Sequence, residues 1–313
     1  VLLSLSIPCK PMTETGLSHP KRNLWLAAIK PPMYSVAIIP ITVGSAIAFS
    51  EIHTFQIPIF LTFLGSGILI IAWLNLTNDV FDADTGIDVN KAHSVVNLTG
   101  RKSLVFWIAN GCLALGILGI LTIALQQQDW TVIEIILLCC ALGYSYQGPP
   151  FRLGYQGLGE PICFLTFGPL AIAAAYYSQA QSFSSTALAA STIIGISTSI
   201  ILFCSHFHQV EDDRAAGKRS PIVRLGTALG AQVLTGATVS LYGLTLLFVG
   251  LGLFQWPALA MAGSIPFAWH LIRHVQQYHG QPDQVSNSKF IAIHLYVVSG
   301  LLLAFAFMVQ NII

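Results

Sequence analysis

The residues best suited to chemistry lie in one short acidic stretch, NLTNDVFDADTGID, at residues 75–88. It holds four carboxylates and two carboxamides, although charged residues are only 9% of the chain. Four of its side chains recur at the helical spacing i, i+3, i+4, i+7: Asn75, Asn78, Asp79 and Asp82. Carboxylates held this close repel one another unless protons or cations compensate. Because Mg²⁺ takes oxygen ligands, commonly a few carboxylates together with substrate phosphates, the stretch favours a magnesium site over a solvated acidic loop that caps a membrane helix.

A second charged segment, HFHQVEDDRAAGKRSPIVRLG, occupies residues 206–226. Consecutive acidic residues from Glu211 to Asp213 come first, and several Lys and Arg residues follow. His206, Gln209 and Asp213 share one face if the segment is helical. A diphosphate bridged by Mg²⁺ needs carboxylates for the metal and cations for the remaining phosphate charge. The chain has no P-loop or Rossmann glycine pattern that would indicate a nucleotide instead.

Three further residues near the same helix ends have competing interpretations. Lys30 lies one or two turns into the first apolar run, where it either binds the ligand or extends its ammonium group to the membrane interface. Arg152 follows Pro149 and Pro150 after the fourth apolar run and either binds phosphate or anchors the loop at the interface. Glu160 begins the fifth run, where a carboxylate suits the helix dipole, and we interpret it as structural.

Apolar runs make up most of the chain. Of its 313 residues, 54% are hydrophobic, and its charged fraction is far below the roughly 25% of soluble proteins. About 20 apolar residues cross a bilayer as a helix. Nine stretches approach that length, with approximate bounds 24–49, 56–78, 103–126, 131–147, 160–179, 183–206, 228–254, 256–273 and 290–311. We therefore predict an all-α polytopic membrane protein with nine transmembrane helices, two four-helix units plus one. Residues 1–23 would form an N-terminal tail and residues 24–313 a single transmembrane domain.

The basic residues indicate how such a protein lies in the membrane. In the nine-helix topology, all 14 Lys and Arg residues fall on the side of the N-terminal tail or at the helix ends on that side. The opposite loops carry Glu51 and Asp129 and no basic residue. Because cytoplasmic loops are enriched in Lys and Arg, we place the N-terminus and both acidic segments in the cytoplasm. A diphosphate bound at this membrane face is expected to carry a lipid tail, and we expect no nucleic-acid partner.

With these motifs the chain resembles the UbiA superfamily of intramembrane aromatic prenyltransferases from Trp25 onward. NDVFD is similar to the start of the first Asp-rich motif of that superfamily, and DDRAAGK followed by RLG is similar to the second. NLTNDVFDADTGID, GYQGLGE and GKRSPIVRLG most resemble the 1,4-dihydroxy-2-naphthoate prenyltransferases of menaquinone and phylloquinone synthesis. HFHQVEDD and KAHSVVNLTG resemble the phytyl-transferring branch of cyanobacteria and plastids.

The chain departs from the general motifs at two positions. Gly86 stands where the first motif usually has its last Asp, and Asp88 comes two residues later. The second motif usually reads DxxxD, but here its first position is Gln209 and its last is Asp213. An amide oxygen carries no charge, so the resemblance requires Glu211 or its neighbour Asp212 to supply the missing carboxylate.

The resemblance implies a helical bundle around a central cavity that opens to the cytoplasm and laterally to lipid. In that cavity a prenyl group, expected to be phytyl, passes from its diphosphate to 1,4-dihydroxy-2-naphthoate with loss of CO₂ and diphosphate. The implied cofactor is Mg²⁺, held by Asn78, Asp79, Asp82, Asp88, Glu211 and Asp213. The implied diphosphate ligands are Lys30, Lys91, Arg152, Lys218 and Arg224. The candidate catalytic residues are Asp82, Asp213 and Tyr146; Tyr146, with Tyr144, either shields the allylic cation or is an ordinary interfacial tyrosine.

Two alternatives stay open at this point. A cation-coupled transporter also places acids in the membrane, but its sites lie near the midplane at broken helices, whereas these acids lie at one face. The second alternative is a related prenyltransferase with another acceptor, such as homogentisate, 4-hydroxybenzoate or a chlorophyllide. The expected partners are therefore a prenyl diphosphate, an aromatic acid and the lipid bilayer of a plasma or thylakoid membrane.

Overall fold

The computed structural model describes residues 30–85 and 94–310, and these residues form helices and connecting turns without a strand. This confirms the all-α prediction for the described part of the chain. Long apolar segments adopt helices in lipid because a helix satisfies every backbone hydrogen bond within the segment.

The described residues of the first half of the chain form five helices and a short 3-10 turn. A 3-10 turn at Pro31–Tyr34 leads into α1. The helices are α1 (Ser35–Ile52), α2 (Ile57–Thr85), the short α3 (Val95–Thr99), α4 (Lys102–Gln127) and α5 (Thr131–Gln147).

The second half begins with a bent helix. Its parts are α6 (Gly159–Leu165), a π turn (Thr166–Leu170) and α7 (Ala171–Ala180). Pro169 lies in the π turn, where its missing amide hydrogen removes one helical hydrogen bond and its ring crowds the preceding turn. The remaining helices are α8 (Ser185–His208), α9 (Val210–Ala215), α10 (Pro221–Leu225), α11 (Thr227–Gly250), α12 (Ile265–Tyr278), α13 (Pro282–Val285) and α14 (Ser288–Val309), with a 3-10 segment at Trp256–Ser264 before α12.

Every predicted apolar stretch coincides with helical structure, but seven segments of the described chain are long and apolar enough to span a membrane. They are Pro31–Ile52, Ile57–Asp84, Lys102–Gln127, Gly159–Ala180, Ser185–His208, Thr227–Gly250 and Pro282–Val309. The fourth predicted stretch forms α5, which is apolar but has only 17 residues. The eighth is divided between the 3-10 segment and α12, whose sequence includes His, Arg and Gln. By length and composition, the described helices are those of an integral multi-pass membrane protein, whereas the number nine stays a prediction.

Burial divides the helices into an inner and an outer group. α1 and α8 are the most buried of the candidate spans, and α4 and α11 are the least buried. α8 packs against α6, α11 and α14, while α1 packs against α7 and α14. The outer helices expose large apolar side chains such as Trp107 and Leu246. An apolar surface of this kind is stable against lipid tails rather than water.

The packing gathers four helix ends at one end of the bundle. The last turn of α2 meets the end of α5 through a hydrogen bond between Asp82 and Gln147. The first turn of α6 meets the end of α8 where Glu160 approaches His206. The two acidic segments of the sequence therefore lie in the same region of the fold.

The contact between α1 and α7 predicts a stability effect. A Cβ atom at Gly44 would lie 2.8 Å from the Cβ of Ala175 and 2.9 Å from the backbone oxygen of Ile172. Gly44→Ala must therefore push α1 and α7 apart, and we expect it to lower the free energy of unfolding by about 1–3 kcal/mol. Gly65→Ala is the matched control because no atom lies within 4 Å of its added Cβ. Thermal unfolding of the purified protein in detergent measures both; equal melting temperatures would contradict this packing.

Candidate active site

The acidic face of α2 forms as the sequence spacing predicted. α2 continues through Asp82 to Thr85, so its polar residues from Asn75 to Asp82 follow one helical face. Asp84, two residues beyond Asp82, also lies in the last turn of the helix. Asp79 and Asp82 are buried, whereas Asp84 is exposed and pairs with Lys102. The helix therefore separates two site carboxylates from a surface carboxylate.

Asp79 is held from two sides. The ammonium nitrogen of Lys30 lies 2.8 Å from its Oδ1, and the backbone N–H of Val95 donates to its Oδ2 at 2.9 Å. Lys30 thus extends toward the site and neutralises a carboxylate that is 1% exposed. The position of Lys30 favours a site role over simple extension to the interface.

Asp82 is paired with a residue that the sequence analysis did not select. The side-chain amide of Gln147 donates a hydrogen bond to Oδ1 of Asp82. Gln147 is buried and is the last residue of α5. The available signal was its position, because a polar side chain between an apolar run and the Pro149–Pro150 turn marks the same membrane face as the acidic stretch.

Asp213 is the buried carboxylate of the second segment. Its side chain is 1% exposed, with Oδ2 lying 3.1 Å from Nδ1 of His206 and Oδ1 lying 3.3 Å from Nζ of Lys218. Burial raises the pKa of Asp213, but the hydrogen bond from His206 and the charge of Lys218 outweigh burial and hold that pKa below its ordinary value. Asp213 therefore remains a carboxylate at neutral pH.

Tyr146 connects the two acidic groups. Its hydroxyl interacts electrostatically with the carboxylates of Glu160, Asp82 and Asp213, so carboxylates from α2, α6 and α9 all lie near one side chain. Tyr146 also lines the cavity described next. Asp82 and Asp213 are therefore both within electrostatic range of Tyr146.

A cavity of about 180 Å³ adjoins this region. Asn75, Asn78 and Tyr146 line its polar end, and most of its remaining wall is apolar, including Leu74 and Phe167. A second cavity of about 60 Å³ shares part of that wall, including Leu74 and Phe167, and extends along α2 to Gly67 and Phe63. Together they form an apolar space that leads from the acidic end into the bundle.

The other predicted site residues lie in different settings. Arg224 donates a hydrogen bond to the backbone oxygen of Gln156, and the backbone N–H of Arg219 donates to the oxygen of Tyr155. These bonds join the loop that carries Arg152 to the segment that follows Asp213. Arg152 has a positive φ of 44° and a buried Nε without a hydrogen-bond partner. Asp88 and Lys91 lie outside the described residues.

Glu211 and its neighbour Asp212 do not approach Asp213 with their side chains. Glu211 is 80% exposed on its side chain and pairs with Arg214 at 3.0 Å, and Asp212 is also exposed. The reason is a break in the backbone, because α8 ends at His208 and α9 begins at Val210. Glu160, which the sequence analysis interpreted as structural, lies at this cluster instead.

The donor atoms at this end suit a hard divalent cation. Oδ1 of Asp213 makes no hydrogen bond although the residue is buried, and Asn78 lines the cavity. Carboxylate and amide oxygens of this kind fit Mg²⁺. Across the described ranges, no three His, Cys, Asp or Glu side chains are gathered closely enough to hold a metal by themselves. Phosphate oxygens of a substrate, which commonly complete the shell of Mg²⁺, are the donors that would bridge the two acidic groups.

Comparison with known sequences decides the family. Residues 37–307 match the UbiA prenyltransferase family. The chain is a UbiA prenyltransferase. Over 298 residues it is 63% identical to the 2-carboxy-1,4-naphthoquinone phytyltransferase of Synechocystis, covering 94% of this chain and 97% of that protein. Over 300 residues it is 40% identical to the chloroplastic protein of the same name from Arabidopsis thaliana, covering 93% of this chain and 78% of that protein.

Solved structures show the same fold. A UbiA homolog from Archaeoglobus fulgidus bound to DMAPP and Mg²⁺ matches with a TM-score of 0.60 and 16% sequence identity, covering 92% of this chain and 99% of that chain. As a UbiA prenyltransferase the protein is an enzyme, which confirms the resemblance found in the sequence and sets the transporter alternative aside.

The pairing of Lys30 with Asp79 predicts a second stability effect. Lys30→Met leaves a buried carboxylate with its backbone hydrogen bond but no cation, and we expect a loss of about 3 kcal/mol in the free energy of unfolding. Lys102→Met is the matched control because Lys102 and Asp84 form an exposed pair, for which we expect a loss below about 1 kcal/mol. Chemical unfolding in detergent distinguishes the two. A loss in Lys102→Met as large as that in Lys30→Met would show that burial does not govern these pairs.

Proposed function

We propose that this enzyme transfers a phytyl group from phytyl diphosphate to 1,4-dihydroxy-2-naphthoate, with release of CO₂ and diphosphate. The observation that carries the proposal is a mostly apolar cavity beside the acidic end of α2, lined by Asn75, Asn78 and Tyr146, with a second apolar cavity that shares part of its wall. The two relatives named as naphthoquinone phytyltransferases support the donor and the ring system. A 1,4-dihydroxy-2-naphthoate octaprenyltransferase of Mycobacterium tuberculosis is more distant, at 28% identity over 207 residues.

The head group of the donor would bind at the acidic end. Asn78, Asp79 and Asp82 on α2 and Asp213 on α9 are the residues that would hold Mg²⁺. The bound metal would stabilise the negative charge that builds on the departing diphosphate. Glu211 does not belong to this set because its side chain is exposed and paired with Arg214.

The basic residues would bind the phosphate oxygens that the metal leaves free. Lys30 and Lys218 each already lie beside a site carboxylate. Arg152 and Arg224 lie in two segments that are joined by hydrogen bonds next to Asp213. We retain Lys91 as a further diphosphate ligand and Asp88 as a further metal ligand from the motif alone.

The tail of the donor would occupy the apolar space along α2. Gly67 and Phe63 lie progressively further from Asn78 on the same helix, and both line the deeper cavity. Burial of a hydrocarbon tail contributes roughly 0.8 kcal/mol per CH₂ group. An apolar space of this kind would therefore bind the prenyl chain and keep water away from the reacting carbon.

The chemistry requires one bond to form and two to break. The bond between the allylic carbon and the diphosphate oxygen breaks, and its electron pair leaves with the diphosphate. The ring carbon that bears the carboxylate forms the new bond to the allylic carbon, and loss of CO₂ returns an electron pair to the ring. The hydroquinone is a better nucleophile than the corresponding quinone because its ring is electron-rich. Because Tyr146 lines the cavity, its ring would shield the cation-like carbon.

The topology proposed with this function has nine spans. α5 and the segment Trp256–Tyr278 would cross the membrane with the seven longer spans, giving two four-helix units plus α14. The distribution of Lys and Arg supports a cytoplasmic N-terminus and a cytoplasmic active site, in a plasma or thylakoid membrane. Residues 24–313 would then form one domain after the tail 1–23.

A competition assay tests the substrate assignment. Purified protein with Mg²⁺ receives 1,4-dihydroxy-2-naphthoate and an equimolar mixture of phytyl, geranylgeranyl and octaprenyl diphosphates, and mass spectrometry identifies the products. We expect the phytylated, decarboxylated product to dominate. Parallel reactions with the quinone form, homogentisate or 4-hydroxybenzoate should be much slower. Faster transfer to any of these acceptors would overturn the assignment of the acceptor.

Asp82 and Asp84, two carboxylates of α2, provide a matched test of the site, and Asp213 on α9 is tested with them. Asp82→Asn and Asp213→Asn should each lower the rate of prenyl transfer by at least about 100-fold, because they remove charge that holds the metal and the leaving group. Asp84→Asn should leave the rate nearly unchanged, since Asp84 is exposed two residues further along the same helix. Rates are measured in isolated membranes and normalised to the amount of inserted protein. Near-normal transfer in Asp82→Asn or Asp213→Asn would refute the site.

A further inference from the structure

A chain of four charged side chains lies behind the cavity. Oε1 of Glu160 lies 3.3 Å from Nε2 of His206, and Nδ1 of the same imidazole lies 3.1 Å from Oδ2 of Asp213. Nζ of Lys218 lies 3.3 Å from the other oxygen of Asp213. The side chains are 15%, 3%, 1% and 8% exposed, in the order Glu160, His206, Asp213 and Lys218. This chain of charges is therefore almost entirely removed from water.

His206 lies between two carboxylates. Its Nδ1 forms a hydrogen bond with Oδ2 of Asp213, and its Nε2 faces Oε1 of Glu160 at 3.3 Å. The imidazole therefore links the carboxylate of α6 to the carboxylate of α9.

The backbone of Glu160 is fixed in place by a hydrogen bond from the neighbouring helix α8. Its backbone oxygen accepts a hydrogen bond from the hydroxyl of Ser199 at 3.0 Å, which ties the first turn of α6 to α8. Its carboxylate also interacts with Tyr146, a residue of the cavity wall. Glu160 therefore lies between the cavity and the second acidic segment, on an element other than the one that carries Asp213.

The position of Glu160 resolves the departure in the second acidic motif. Gln209 stands where that motif usually has an acid, and the two nearest acids, Glu211 and Asp212, are exposed. Within the described chain, Glu160 is the carboxylate that the fold brings to the imidazole that Asp213 also contacts. The missing charge of the motif is thus supplied from a different helix.

We propose that Glu160 is a positioning residue that acts through His206 on Asp213. Glu160 holds the imidazole of His206 from the side opposite Asp213, and the imidazole fixed in this way orients the carboxylate of Asp213. Among the described residues, Oδ1 of Asp213 accepts no hydrogen bond and forms an ion pair with Lys218 at 3.3 Å, and it is the oxygen that would bind a divalent cation. This inference rests on the proposed function, in which Asp213 holds the metal.

The test measures metal binding directly. Mn²⁺ is titrated into purified protein in the presence of a non-reactive prenyl thiodiphosphate, and electron paramagnetic resonance reports the free metal. We expect Glu160→Gln to weaken Mn²⁺ binding by about 10-fold to 100-fold, the range found when partners of metal ligands are removed. Glu134→Gln is the matched control. Like Glu160, Glu134 lies in the first turn of a helix, but it is at the beginning of α5, far along that helix from Tyr146 and Gln147. Binding by Glu160→Gln as tight as by Glu134→Gln would overturn the inference.

A double-mutant cycle shows whether Glu160 acts through His206. We expect Glu160→Gln to have little further effect in a His206→Gln background, because the imidazole that transmits it is absent. Independent, additive effects would overturn the proposal. The double variant leaves no unpaired buried charge, so it remains informative if Glu160→Gln alone fails to fold, which a thermal melt would reveal.

Three further variants distinguish failure of the positioning role of Glu160 from failure of the metal assignment. If Glu211→Gln or Asp212→Asn weakens binding and Glu160→Gln does not, the motif's own acids supply the charge and the inference is wrong. If Asp213→Asn retains full affinity, the metal assignment in the proposed function fails as well. Loss of binding in Asp213→Asn with full binding in Glu160→Gln refutes the positioning role alone.

Discussion

The structure depends on the compensation of carboxylates that are buried at the ends of membrane helices. An unpaired charge in a medium of low dielectric constant is strongly unfavourable, and three site carboxylates, Asp79, Asp82 and Asp213, are 1%, 8% and 1% exposed. Each has a partner from another segment of the chain: Lys30, Gln147 and His206. These partners require the ends of α2, α5 and α8 to lie close together, so one electrostatic constraint determines the arrangement of the site.

The same constraint connects the fold with catalysis. A diphosphate needs positive charge and a metal needs negative charge, and neither is stable alone beside an apolar cavity. Lys30 and Lys218 each lie beside a carboxylate that they neutralise, so ammonium groups and carboxylates are present in one place. In the proposed function, the apolar space along α2 would bind the chain attached to the head group. The UbiA fold thus places a highly charged reaction at the margin of an oily bundle.

The sequence predicted those features that depend on local periodicity. The spacing from Asn75 to Asp82 gave the polar face of α2, and the apolar runs coincide with the helices. The pairings of Asp82 with Gln147 and of Glu160 with His206 were missed because they join residues far apart in the chain, which no local pattern reports. The expectation for Glu211 assumed that its side chain faces Asp213, whereas the break between α8 and α9 exposes it. Hydropathy alone predicted spans at α5 and at the segment that includes α12, but neither helix is among the seven that are long and apolar enough to cross a membrane.

The central claim is that one metal-bound diphosphate joins the two acidic segments. It is tested most directly by locating Mn²⁺ through its anomalous scattering in crystals grown with a prenyl thiodiphosphate. The account predicts manganese peaks between the carboxylates of Asp82 and Asp213, with the diphosphate bridging them beside Tyr146. Manganese bound at only one of these residues, or the diphosphate at a separate surface of the bundle, would contradict it.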